Sequence, residues 1–123
     1  MIRINIVCVG KIKEKYIKDG IEEFLKRLSK YVKLDIVELT EEDDNKGIKN
    51  AVDVETQRII DAISKKNYSY SILLDLSGKM MTSVEMAEKI EEISLTSSEI
   101  NFIIGGSNGV ADKLREIVNF RLA

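Results

Sequence analysis

Apolar and polar positions along the chain fall into alternating stretches of period two and of helical period. In residues 2–9, Ile2, Ile4, Ile6 and Cys8 share one parity while Val7 and Val9 occupy the other, so a strand here has both faces covered, as central strands of α/β sheets do. Gly10 closes that run. Ile17, Gly20, Ile21, Phe24, Leu25 and Leu28 then recur at helical spacing between Lys and Glu, which predicts a helix over about 13–31. Lys33 to Leu39 reads as a second strand, and Glu41, Glu42, Asp43 and Asp44 as an acidic loop ending near Gly47. Ile48, Val52, Ile59 and Ile63 mark the apolar stripe of a second helix. Tyr70 to Leu76 is a nearly continuous apolar run of the kind that buried parallel strands show, and Ser77-Gly78 is expected to turn the chain after it. Thr82 with Glu85 three residues on forms a capping-box pattern that opens a helix bearing Val84, Met86, Ala87, Ile90 and Ile93. Glu99 to Ile104 is a further strand, followed by Gly105-Gly106-Ser107-Asn108-Gly109 and a short amphipathic helix with Leu114, Ile117 and Val118. Phe120 to Ala123 has the character of the opening of another strand. Strands alternating with helices predict an α/β fold: a mostly parallel sheet with helices on both faces.

Composition narrows the chemistry. The 123 residues are the size of one domain, 44% hydrophobic and 33% charged, which suits a globular unit with a packed core. There is no His, so a Ser-His or Cys-His nucleophile system and a histidine-ligated zinc site are excluded within these residues. Cys8 stands alone in an apolar run, where it is expected to act as a small core residue. No apolar run approaches the roughly 20 residues of a membrane helix, and the expected location is the cytoplasm. The acidic loop has consecutive rather than alternating carboxylates and lacks calcium-loop geometry, so it is read as solvated, and no metal is expected. Net charge is −2, but residues 1–33 carry nine Lys/Arg against four Asp/Glu, or +5, leaving −7 for the rest. That asymmetry hints at an anionic partner for the N-terminal third.

Ligands of open parallel sheets settle beyond the carboxyl ends of the strands, at a switch in strand order. Three glycine-containing loops are candidates: Gly10 to Lys13, Ser77 to Lys79, and Gly105 to Gly109. The last has the spacing GGxxG, which is neither the dinucleotide fingerprint nor a P-loop. Asp75 lies inside an apolar strand and needs a partner, whether a loop amide, a lysine or a cationic ligand.

Three segments carry a resemblance in combination: IRINIVCVGKIKEKYIKDGIEEFLKRLSKY, LLDLSGKMMTSVEMAEKI and FIIGGSNGV. With them the chain, over its whole length, resembles the RlmH (YbeA-like) pseudouridine N3-methyltransferases of large-subunit ribosomal RNA, in the SPOUT class of knotted methyltransferases. The resemblance implies a homodimeric enzyme that uses S-adenosylmethionine to methylate N3 of one pseudouridine in the RNA of the assembled ribosome. It implies cofactor contacts at Leu74 and Gly105, with Gly106, Ser107, Asn108 and Gly109 shaping the wall of the pocket. It also makes Lys11, Lys13 and Lys15, and in addition Lys18, phosphate contacts for ribosomal RNA. No catalytic side chain is assigned. Members of the family continue beyond the equivalent of Ala123 with an adenine-binding loop, a helix that threads the knot, and a Tyr-His tail. On that basis the 123 residues are expected to lack the knot-forming segment, to form no knot, to bind cofactor weakly and to turn over little or not at all. The alternative reading is a non-catalytic α/β module for ribosome binding or self-association.

Overall fold

A computed structural model describes residues 2–10, 19, 32–65 and 69–122. Apart from residue 19, which is helical, the expected helix over 13–31 lies outside the described residues, as do Lys11, Lys13, Lys15 and Lys18. The strands are β1 (Ile2–Val9), β2 (Val32–Leu39), β3 (Ser69–Lys79), β4 (Glu99–Ile104) and β5 (Phe120–Leu122). The helices among the described residues are α1 (Ile48–Ser64), α2 (Ser83–Ser94) and α3 (Asp112–Ile117). All five strands pair in parallel, in the order β2-β1-β4-β3-β5.

The two parities of the strands build two cores. Ile4, Ile72 and Ile100 face Met86, Ile90 and Ile93 of α2 on one side of the sheet. Val7, Val9, Leu73 and Ile103 face Ile59 of α1 and Leu114 of α3 on the other. In-register pairing aligns Val7 with Ile103 and Ile103 with Leu73, so one unbroken apolar row crosses the three central strands. Helices therefore cover both faces, as the alternating pattern predicts.

Near the amino ends of the strands, on the α1 side, the same row-by-row alignment places polar groups. Asn5 Nδ2 donates to Asn101 Oδ1 at 2.9 Å and to Glu99 Oε2 at 2.6 Å, and Asn101 Nδ2 donates to Ser69 Oγ at 3.0 Å. The two amides bond to each other through the Asn5 nitrogen, while Asn5 Oδ1 is buried without a donor among the described residues.

α2 opens with the expected capping box. The Glu85 N–H donates to Thr82 Oγ1 and the Thr82 N–H donates to Glu85 Oε1, both at 3.1 Å. One boundary differs from the pattern reading: β3 does not turn at Ser77-Gly78 but runs on to Lys79. The reason lies in the neighbouring strand. β3 pairs with β5 at Ile72–Leu74 and again, after a register shift, at Lys79, and the backbone of Arg121 and Leu122 lies directly against Gly78. Glycine signals a turn in sequence, yet here it admits a second backbone. Phe120–Leu122 is a strand, as its composition suggests.

Candidate active site

Strand order decides where a crevice opens. α2 follows β3 and packs on one face of the sheet, whereas α3 follows β4 and packs on the other. The chain thus leaves two adjacent strand ends in opposite directions, and the gap between them is the switch point where α/β sheets bind ligands. A cleft of about 700 Å³ occupies this place, within the range of small-molecule sites. Leu74 and Asp75 of β3, Ile104 of β4, the turn that follows it, Arg115 of α3 and Arg121 of β5 line the cleft.

The turn is built by glycine. The Gly109 N–H donates to the Gly106 carbonyl at 3.0 Å, and Gly109 has a φ of 81°, a left-handed conformation that side chains disfavour. At Gly105 a methyl group would stand 2.8 Å from Val110 Cγ1, so any side chain there must displace Val110 in the wall of the cleft. The turn is held from outside at three points. Asn108 Nδ2 donates to Asp44 Oδ1 at 3.0 Å, the Ala111 N–H donates to Thr56 Oγ1 at 3.0 Å, and Gly106 packs against the carboxylate of Glu55.

Asp75, for which the sequence suggested a loop amide, a lysine or a cationic ligand, has an arginine as a partner. Arg115 Nε donates to Asp75 Oδ2 at 2.9 Å, while its Nη1 donates to Asp112 Oδ1 at 2.8 Å and to the Val110 carbonyl at 3.1 Å. The Asp75 side chain is 8% exposed and that of Arg115 30%. The hydrogen bond to Asp75 is the main reason that the Arg115 guanidinium holds its proton more tightly than usual. One arginine therefore fastens the end of β3 to the start of α3 and to the residue that closes the turn.

Of the residues that the sequence singled out, Leu74, Gly105, Gly106 and Gly109 come together in the cleft. Ser107 and Asn108 sit on the exposed tip of the turn, where Asn108 reaches the acidic loop instead of the cleft. Asp112, Arg115 and Arg121 escaped the sequence reading because charged residues on a short helix or a chain end read as solvated. The one usable signal was Asp75, a carboxylate inside an apolar strand that needed a partner, whether a loop amide, a lysine or a cationic ligand.

The cleft suits a zwitterionic, partly apolar molecule such as S-adenosylmethionine. It offers Leu74, Ile104 and Val110 as apolar wall, a glycine backbone open to close approach, and carboxylates balanced by two arginines.

Comparison with known proteins gives the family of the chain. The family model described as "Predicted SPOUT methyltransferase" matches residues 2–123. The chain is 48% identical over 120 residues to the Ribosomal RNA large subunit methyltransferase H of Fusobacterium nucleatum, covering 97% of this chain and 77% of that protein. Proteins of the same name from Desulforamulus reducens and Clostridium botulinum are each 44% identical, over 127 and 125 residues. These alignments cover 100% and 98% of this chain and 79% and 78% of the relatives.

Proposed function

Because this chain belongs to the SPOUT methyltransferase family, we propose that it methylates large-subunit ribosomal RNA, at N3 of a pseudouridine, with S-adenosylmethionine as methyl donor. The observation that carries the reading is the cleft at the β3/β4 switch point, lined by Leu74 and the Gly105-Gly106 turn. Leu74, Ile104 and Val110 offer apolar contact to the adenosine, and the glycine turn offers backbone groups to the polar parts of the donor. Asp75, Asp112 and Arg115 hold one another and fix the shape of the pocket.

The bound cofactor supplies an electrophilic methyl group on a sulfonium. With the donor held by Leu74 and the Gly105-Gly106 turn, the chain's own contribution would be to align that methyl with the nucleobase nitrogen, from which effective molarity can supply much of the rate. Asp75 and Asp112 are both bonded to Arg115, which gives them a part in orientation, and the imide proton passes to water as the N–CH3 bond forms and the S–CH3 bond breaks.

Lys11, Lys13 and Lys15 extend the reading as phosphate contacts for ribosomal RNA, supported by the +5 charge of residues 1–33. Ser107 and Asn108 complete the turn from its outer side. We extend it further to a homodimer in the cytoplasm, where ribosomes are methylated. Exposed Met80 and Val84, both near the start of α2, give a partner subunit apolar side chains to bury. No helix among the described residues is long and apolar enough to cross a membrane.

Calorimetric titration of the folded chain with S-adenosylmethionine is the direct test, with Gly105→Val as control. The expected result is saturable one-site binding that the valine abolishes. Absence of binding by a folded chain would overturn the reading. Incubation with tritiated cofactor and ribosomes that lack the modification then tests turnover, and label on the pseudouridine of the large-subunit RNA supports the reading.

A further inference from the structure

Glu55 is the unexplained group next to the proposed cofactor turn. It projects from the middle of α1 and is 5% exposed. One carboxylate oxygen, Oε2, accepts the Glu42 N–H at 3.0 Å and so ties α1 to the acidic loop. The other, Oε1, is buried and meets no donor among the described residues. That oxygen lies against Gly106: a methyl group there would stand 2.8 Å from Oε1 and 3.3 Å from Val9 Cγ1.

A buried carboxylate oxygen without a donor is costly, and a protein that needed only the bond to Glu42 would be served as well by glutamine. A carboxylate differs from an amide in having two acceptors. The second is aimed at the turn, and Thr56, the next residue of α1, already accepts from Ala111 at the turn's far end. α1 therefore grips the turn at one end by a completed hydrogen bond and at the other by an acceptor still to be used.

We propose that Glu55 is a positioning residue for the cofactor turn, its free oxygen accepting a backbone N–H of residues 105–108 when S-adenosylmethionine occupies the cleft. The inference rests on the proposed function, since it needs a ligand at that site. The energy of the new bond appears as cofactor affinity, because it forms in the bound state alone. The acidic loop, which bonds Glu55 through Glu42 and Asn108 through Asp44, braces the turn from the side away from the cleft.

The test compares wild type with Glu55→Gln by calorimetry and thermal melting, and follows the amide resonances of residues 105–108 by NMR. Glutamine keeps an acceptor for the Glu42 N–H, so the melting temperature should hold within about 2 °C, while the dissociation constant for S-adenosylmethionine rises roughly tenfold, as loss of a hydrogen bond to a charged acceptor implies. In the wild type, one amide proton of the turn should move downfield and exchange more slowly when the cofactor is added. If wild type and variant bind with equal affinity, the inference fails while the proposed function stands. If wild type binds no cofactor, both fail. Should the variant not fold, the wild-type spectra decide alone, and turn amides unchanged by saturating cofactor would overturn the inference.

Discussion

Single residues set the tolerances of this fold, and Gly78 is the glycine whose nearest neighbours are all backbone. A methyl group there would stand 2.6 Å from the Arg121 carbonyl carbon and 2.8 Å from the Leu122 nitrogen. Both are backbone atoms of the paired strand, which cannot swing aside as the end of a side chain does. Gly78→Ala should lower stability by about 1–3 kcal/mol, the usual cost of overpacking, as measured by urea denaturation; a loss under about 0.5 kcal/mol would mean that β5 yields freely. Cys8 makes the opposite case, a reactive group disarmed by its surroundings. Burial first, and then the nearby Glu38 carboxylate, push the thiol above its ordinary range. Iodoacetamide at pH 8 should leave Cys8 unmodified in the native chain and alkylate it fully in guanidinium, with mass spectrometry as the readout. The sequence displayed Cys8 and Gly105 plainly, because an apolar run and a strand-end glycine carry their meaning locally. Glu55 could not be read the same way. A glutamate on an amphipathic helix reads as solvated, and only the tertiary position of Gly106 turns it into a buried acceptor.

Elements were legible wherever a local rule and the tertiary packing agree. β1 shows it: the two parities visible in its sequence are the two cores of the molecule. α1 shows the limit. Ile48 belongs to its apolar stripe by spacing, yet it is exposed at the first turn, and Ala51, Glu55, Thr56 and Ile59 form the buried face. Spacing gives a period but not how far along the sheet a helix lies. α2 is more local, since its start is fixed by Thr82 and Glu85 alone. Thr82→Ala should cost about 1 kcal/mol, the usual value of an N-cap. The pH dependence follows from Glu85, whose bonds to the Thr82 backbone and side chain hold its carboxyl below the usual carboxylate range. A carboxyl with a depressed folded-state pKa contributes fully above its unfolded value and loses that contribution as pH falls through the folded one. Melting of wild type against Glu85→Gln should therefore show a constant difference from neutral pH down to about pH 5, narrowing steadily at lower pH. A difference that stays flat to pH 3 would mean that the box is open in solution.

At the scale of the whole molecule, position along the strands sorts the chemistry. Polar amides hold the amino ends of β1, β4 and β3 together, an apolar row crosses their middle, and the cleft opens at the carboxyl ends. This layering was hidden in the sequence because it depends on register and strand order, both set by pairing between residues as far apart as Asn5 and Asn101. The cleft inherits a mechanical asymmetry from the same order. Its β4 wall belongs to a strand paired on both sides, whereas β5 is three residues long and pairs with β3. Amides of Ile4, Ile100 and Ile103 should therefore exchange with solvent only through global unfolding, while those of Arg121 and Leu122 open locally and exchange far sooner. Native-state hydrogen exchange across a denaturant series checks this. The two groups should follow separate isotherms that merge near the unfolding midpoint. A single isotherm for both would mean that β5 opens only with the core, and the cleft would then be rigid on every side instead of bounded by one yielding strand.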